Sequence, residues 1–90
     1  MKRKETVTKI IDGDTIKTSV RKKEVRIQGI DTPEKRQPGY SEAKNALKKL
    51  LQNEKITVEP VATDVYGRTV AKVKIGNKLV STLMKKHKKP

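Results

Sequence analysis

The sequence predicts a mainly β fold with helices, and three observations carry that expectation. Short runs rich in Val, Ile and Thr recur between turn signals. One central stretch, Ser41 to Gln52, instead repeats its apolar residues at helical spacing. A second, shorter helical pattern follows the last apolar run, over residues 78–86.

The elements follow in order. Residues 5–11 and 14–20 read as two strands, and the "DGD" at 12–14 breaks them as a tight turn or a bulge. "RKK" at 21–23 marks a polar hairpin end, and 24–31 form a third strand. "TPEKRQPG" reads as a loop. The helix after it places Ala43, Ala46, Leu47, Leu50 and Leu51 on one stripe, with Ser41 as N-cap and Glu42 in the first turn. Residues 55–61 form a fourth strand broken near Pro60, and "ATDVYG" turns the chain. In the fifth strand, 68–75, Ala71, Val73 and Ile75 alternate with Lys72 and Lys74. Five strands with a helix between the third and fourth, and a short helix after the fifth, match the order of an OB-fold barrel.

Gly29 decides the geometry of the third strand. Strict alternation would put Asp31 on the face of Val25 and Ile27 and expose Ile30. A bulge at Gly29 shifts the phase, so that Ile30 joins the core and Asp31 joins the face of Arg26.

Ninety residues allow one small domain spanning 1–90, with about 5–86 ordered and 87–90 a basic tail. Lys and Arg total 23 against 10 Asp and Glu, a formal net charge of +13. A polyanion is the natural partner of such a surface, through phosphate contact and counterion release. A membrane surface is the weaker candidate, because no basic amphipathic helix carries an aromatic face, and no apolar run approaches a membrane span. The absence of cysteine excludes disulfides and thiolate metal sites. The basic start has no apolar segment behind it, so a cytoplasmic protein or a mature secreted form is expected. Only Tyr40 and Tyr66 could stack on bases.

The acids Asp12, Asp14, Asp31 and Glu34 sit at strand ends. Oxygen ligands of this kind suit a hard cation such as calcium or magnesium, although the local sequence is not an EF-hand. Lysines could neutralise the acids instead. Asp-Gly is in itself a turn signal, "DTPE" could be a capped loop, and Arg26 could be a surface residue. His87, in the basic run, reads as solvated.

Taken together, "IDGDT" (Ile11 to Thr15), "RIQGIDTPE" (Arg26 to Glu34) and "YGR" (Tyr66 to Arg68) resemble the staphylococcal nuclease family. The helix starts "SEAKNAL" and "NKLVSTLM" extend the resemblance over roughly residues 6–86. It implies a calcium-dependent phosphodiesterase on a five-stranded OB barrel; a monomer that binds DNA or RNA is expected. Asp14 and Asp31 would supply carboxylate ligands to calcium, the Thr32 carbonyl a backbone ligand, and Asp12 support for the metal site. Glu34 would orient or deprotonate the attacking water. Arg26 and Arg68 would grip the scissile phosphate, and Tyr66 would pack near the nucleotide. The sequence departs from the family in shorter loops between Glu34 and Glu42 and between Glu59 and Asp64. It has Val65 where a basic residue is expected, and it reads as a short variant lacking the family's usual C-terminal segment. A nuclease acting on DNA, RNA or both is the leading expectation. A non-catalytic OB-type nucleic-acid-binding module and an interaction scaffold are the alternatives.

Overall fold

A computed structural model describes residues 3–87. Its elements are β1 (Arg3–Asp12), β2 (Thr15–Thr18), β3 (Val25–Ile27), α1 (Tyr40–Leu51), β4 (Lys55–Thr63), β5 (Thr69–Ile75), β6 (Lys78–Leu79) and α2 (Val80–Leu83). The strands lie in the order β3-β2-β1-β4-β5-β6, and β3 also pairs with β5. That last pairing is parallel, with Val25, Arg26 and Ile27 opposite Thr69, Val70 and Ala71. It closes β1 to β5 into a ring, the five-stranded OB-type barrel the element order predicts. The far end of β5 leaves β3 and pairs with β6 instead.

Branched aliphatic residues fill the ring, and α1 covers it with Ala43, Leu47 and Leu51, all fully buried. Ala46 and Leu50 are partly buried against the same cluster. The helix starts two residues before the expected point. Gly39, not Ser41, is the N-cap, and no side chain caps the first turn, so Ser41 is an exposed helical residue. β1 carries two register shifts against β2, between Val7 and Lys9 and between Ile10 and Asp12. The first lets Val7 and Ile10, three apart, both face the core. β4 runs through Pro60 to Thr63, accommodating the proline with a shift between Pro60 and Ala62.

Three further expectations need correction. The third strand ends at Ile27, so Gly29 lies in a turn and not in a bulge within a paired strand. The expected consequence holds: Ile30 is buried and Asp31 emerges beside Arg26. Glycine is needed there because φ is +91° and a Cβ would meet the Ser81 Cβ at 3.1 Å. The second helix is shorter than 78–86. Lys78 and Leu79 form β6, and only Val80–Leu83 are helical, with Val80 and Met84 anchoring the segment in the core. His87, expected to be solvated, is half-buried, and its backbone N–H donates to the Met84 carbonyl. Residues 88–90 of the expected tail lie outside the described residues.

One buried charge had no sequence signal. Glu5 shares the inward face of β1 with Val7 and is 2% exposed. Its carboxylate accepts from Thr18 Oγ1 at 2.7 Å and from Arg21 Nε at 3.0 Å, and Arg21 Nη2 lies 2.9 Å away. A buried charge that loses its partner is strongly destabilising, by about 3–5 kcal/mol when both partners are buried. Arg21 keeps some solvent contact, so Arg21→Ala is expected to lower stability by about 2 kcal/mol. The urea midpoint measures it. The double change Glu5→Leu with Arg21→Ala should cost less than Arg21→Ala alone, and an unchanged midpoint in the single variant would refute the role.

Candidate active site

The closure of β3 on β5 brings three separate stretches of chain to one rim of the barrel. The β1–β2 turn delivers Asp12 and Asp14, β3 and the segment after it deliver Arg26, Asp31, Thr32 and Glu34, and the β4–β5 turn delivers Tyr66 and Arg68. All eight residues singled out in the sequence line one cleft of about 560 Å³. Glu24, just before β3, lines it too and was not anticipated. Five carboxylates thus face two guanidiniums, a local excess of negative charge in a chain of net charge +13.

Arg26 sits between two of the acids. Its Nη2 lies 3.5 Å from Asp14 Oδ2 and 3.9 Å from Asp31 Oδ1, and its Nη1 donates to the Ile27 carbonyl at 2.6 Å. The two ion-pair distances limit the separation of those carboxylate oxygens to their sum. An arginine, not a lysine, therefore lies between them. Asp14 is largely buried, whereas Asp31 is 70% exposed. Among the described residues no three Asp, Glu, His or Cys side chains form a metal-holding group by themselves. The non-side-chain donor expected here is the Thr32 carbonyl.

Arg68 is held by Asp64 and Thr15. Its Nε donates to Asp64 Oδ2 at 2.6 Å, and its Nη1 reaches Thr15 Oγ1 at 3.4 Å. Thr15 Oγ1 in turn donates to Asp14 Oδ1 at 3.0 Å. A polar chain therefore runs Asp64–Arg68–Thr15–Asp14–Arg26–Asp31 and fixes the two arginines relative to each other. The Arg68 guanidinium also lies 5.3 Å from the centre of the Tyr66 ring, which is itself 81% exposed.

Asp64 organises the β4–β5 turn. Its Oδ1 accepts from the Tyr66 and Arg68 N–H groups at 3.0 and 2.9 Å. Desolvation pushes its carboxyl up, but those hydrogen bonds and the Arg68 charge outweigh it, and the carboxyl sits below the usual 3.8. A lowered folded pKa means stabilisation present above the ordinary carboxylate value and lost as pH falls through the lowered one. The difference in urea midpoint between the protein and Asp64→Asn is therefore expected at neutral pH and should vanish in acid. A constant difference would refute this. The Asp-x-Tyr spacing is an Asx-turn signal that could have exposed Asp64 in the sequence.

The remaining acids are positioned by neighbours. Tyr40 Oη donates to Asp12 Oδ1 at 2.9 Å, and this bond, with desolvation and the Asp12 charge, raises the phenol above 10. Tyr40 is thus a support for Asp12. Glu34 lies in a turn closed in both directions by Gln37: the Glu34 N–H donates to Gln37 Oε1 at 2.8 Å and the Gln37 N–H to the Glu34 carbonyl at 2.9 Å. Gly13 lets the 12–14 turn press on the buried Thr32, since a Cβ there would stand 2.7 Å from Thr32 Oγ1. That contact packs the Asp14 turn directly against the Asp31–Glu34 segment.

Comparison with known proteins agrees with this arrangement. Residues 24–87 match the family described as staphylococcal nuclease homologue. "Protein ParB" of Escherichia coli is 42% identical over 77 residues, which are 83% of this chain and 44% of that protein. The thermonuclease of Staphylococcus intermedius is 36% identical over 90 residues, covering 89% of this chain and 54% of its own. An "uncharacterized endonuclease" of Escherichia coli O157:H7 is 36% identical over 69 residues, covering 74% and 45%. The chain spans about half the length of these curated relatives. With the family match extending from the arginine of β3 through the β4–β5 turn and into α2, the chain belongs to the staphylococcal nuclease family.

Proposed function

We propose that this chain is a calcium-dependent nuclease that hydrolyses phosphodiester bonds of DNA, RNA or both with low sequence specificity. One observation carries the reading: two arginines and five carboxylates line a single cleft, linked by a polar chain that fixes the guanidiniums. The relatives named thermonuclease and endonuclease support it.

The donors fit a hard cation. They are all oxygens, they are rich in negative charge, and Asp14 and Asp31 flank one positive group, the Arg26 guanidinium. Asp14, Asp31 and the Thr32 carbonyl would hold the ion, and Asp12, steadied by Tyr40, would add to the local charge. When bound, calcium supplies positive charge to the phosphoryl oxygens and acidity to its bound water. Arg26 and Arg68 then take the non-bridging oxygens, whose charge grows as the bond breaks. The planar fork of arginine suits two phosphate oxygens at once. Glu34 takes the proton of the attacking water as its oxygen bonds to phosphorus and the ester P–O bond breaks, and solvent protonates the leaving alkoxide. Tyr66 offers an exposed ring to the neighbouring base. With most contacts made to phosphate, little base preference is expected.

The test is incubation with single-stranded DNA and RNA in calcium and in chelator. Cleavage in calcium that stops in chelator is expected. Cleavage that persists in chelator would overturn the metal, and binding without cleavage would leave a non-catalytic nucleic-acid module.

A further inference from the structure

The active cleft does not end at Tyr66. Beyond it lies a second concavity, lined by Lys17, Lys22 and Lys23 and sharing Glu24, Tyr66 and Arg68 with the first. Lys22 and Lys23 are exposed on the β2–β3 turn, and Lys17 projects from β2. Lys23 Nζ comes close enough to the β4–β5 turn to stand 3.4 Å from where a Gly67 Cβ would be. Between the arginine-lined cleft and this lysine-lined one stands the exposed Tyr66 ring, with Val65 beside it 92% exposed. The sign of the surface changes across the ring. The first cleft holds five acids, whereas the second holds a single acid among three lysines and Arg68.

We propose that this concavity is a second phosphate subsite, which takes the backbone of the same polynucleotide strand next to the phosphate held by Arg26 and Arg68. The three lysines are flexible point charges that follow a phosphate without demanding one geometry, as a sequence-indifferent strand path requires. The Tyr66 ring between the two clefts is placed to stack one base while the flanking phosphates are held on either side. Such a subsite makes the substrate a strand of several nucleotides, not a single phosphodiester. The inference rests on the nuclease reading of the first cleft for the identity of the ligand, but its test does not depend on cleavage.

The experiment measures binding of a fluorescently labelled single-stranded twelve-nucleotide DNA in chelator, across a salt series. It compares the protein with Lys22→Ala/Lys23→Ala and with Lys48→Ala/Lys49→Ala. The second pair lies exposed on α1 and removes the same charge elsewhere. Loss of two single-strand phosphate contacts is expected to raise Kd about 10-fold near physiological salt and to flatten the log–log salt slope by about 1.4. The α1 pair should change neither by more than about 2-fold. Equal weakening in both variants would overturn the subsite in favour of diffuse charge. No weakening in the first variant, or no binding by the parent protein, would overturn it as well. Failure of the nuclease reading appears separately, as absence of cleavage by the parent protein in calcium.

Discussion

Replacing Arg68 with alanine is expected to lower kcat on single-stranded DNA by about 10³-fold, with a much smaller change in KM. A group that meets charge only as it develops on the phosphate contributes to the transition state more than to the bound substrate. Removal of one such preorganised donor costs about 10²–10³-fold, and transition-state arginines in phosphoryl transfer reach about 10³–10⁵-fold. The upper part of the first range is expected because Arg68 does not act alone. Its Nη1 touches Thr15, which orders Asp14, so the change also loosens the acid nearest Arg26. Arg68→Lys should recover no more than about 10-fold, because a lysine restores charge but not the fork that reaches Asp64 and Thr15 together. The barrel does not depend on this side chain. Arg68 lies at the edge of β5, and the core beneath it is built from Ala71 and Val73. Thermal melting of both variants should therefore stay within a few degrees of the parent protein's. A kcat within 10-fold of the parent's in Arg68→Ala, with a normal melt, would remove Arg68 from the phosphate clamp.

The sequence exposes some of this arrangement and hides the rest for physical reasons. α1 is legible because a helix repeats its own face every 3.6 residues, and Ala43, Leu47 and Leu51 satisfy that repeat locally. Its start is less legible. Ser41 carries the stronger capping chemistry, yet the chain enters the helix through Gly39. Arg26 and Asp31 are five residues apart, so their meeting needs only a local phase change. The sequence points to the glycine responsible, although the change is made by a turn after a short strand. The meeting of Arg68 with Thr15 is of another kind. It depends on the parallel pairing of β3 with β5, which joins residues more than 40 apart and leaves no trace in hydrophobic alternation. Tyr40 and Glu5 show the same blindness. One reaches Asp12 across 28 residues and the other reaches Arg21 across 16, and neither position differs in type from an ordinary surface residue. Motif resemblance supplied the Arg68 assignment because it transmits long-range geometry that periodicity does not carry. It says nothing of Glu24 or of the lysines on the β2–β3 turn, which are read only from their places along the clefts.

Glu34→Gln is expected to lower kcat by about 10²–10⁴-fold while leaving the affinity for a single-stranded oligonucleotide in calcium within about 2-fold of the parent's. The amide keeps the shape and hydrogen-bonding reach of the acid but cannot accept the proton of the attacking water. The prediction separates two roles that the cleft alone would allow. A carboxylate that mainly held the cation would weaken calcium-dependent binding when neutralised, whereas one that takes a proton would slow only the chemical step. The exposed position of Glu34, on a turn outside the paired strands, favours the second role, because an exposed carboxylate can reach water without displacing Asp14 or Asp31 from the phosphate side. Gln37 offers an independent handle on the same residue. It closes the turn from both ends, so Gln37→Ala keeps the acid and the backbone bond to the Glu34 carbonyl but removes the side-chain acceptor of the Glu34 N–H. A misplaced base loses rate in proportion to the geometry it no longer holds, and about 10-fold in kcat is expected for this change. Glu34→Asp should fall between the two, since it retains the base and draws it back by one methylene. The order parent, Gln37→Ala, Glu34→Asp, Glu34→Gln in falling kcat, at constant oligonucleotide affinity, is the signature of a positioned proton acceptor. Loss of affinity parallel to loss of rate in Glu34→Gln would move Glu34 from the water to the metal.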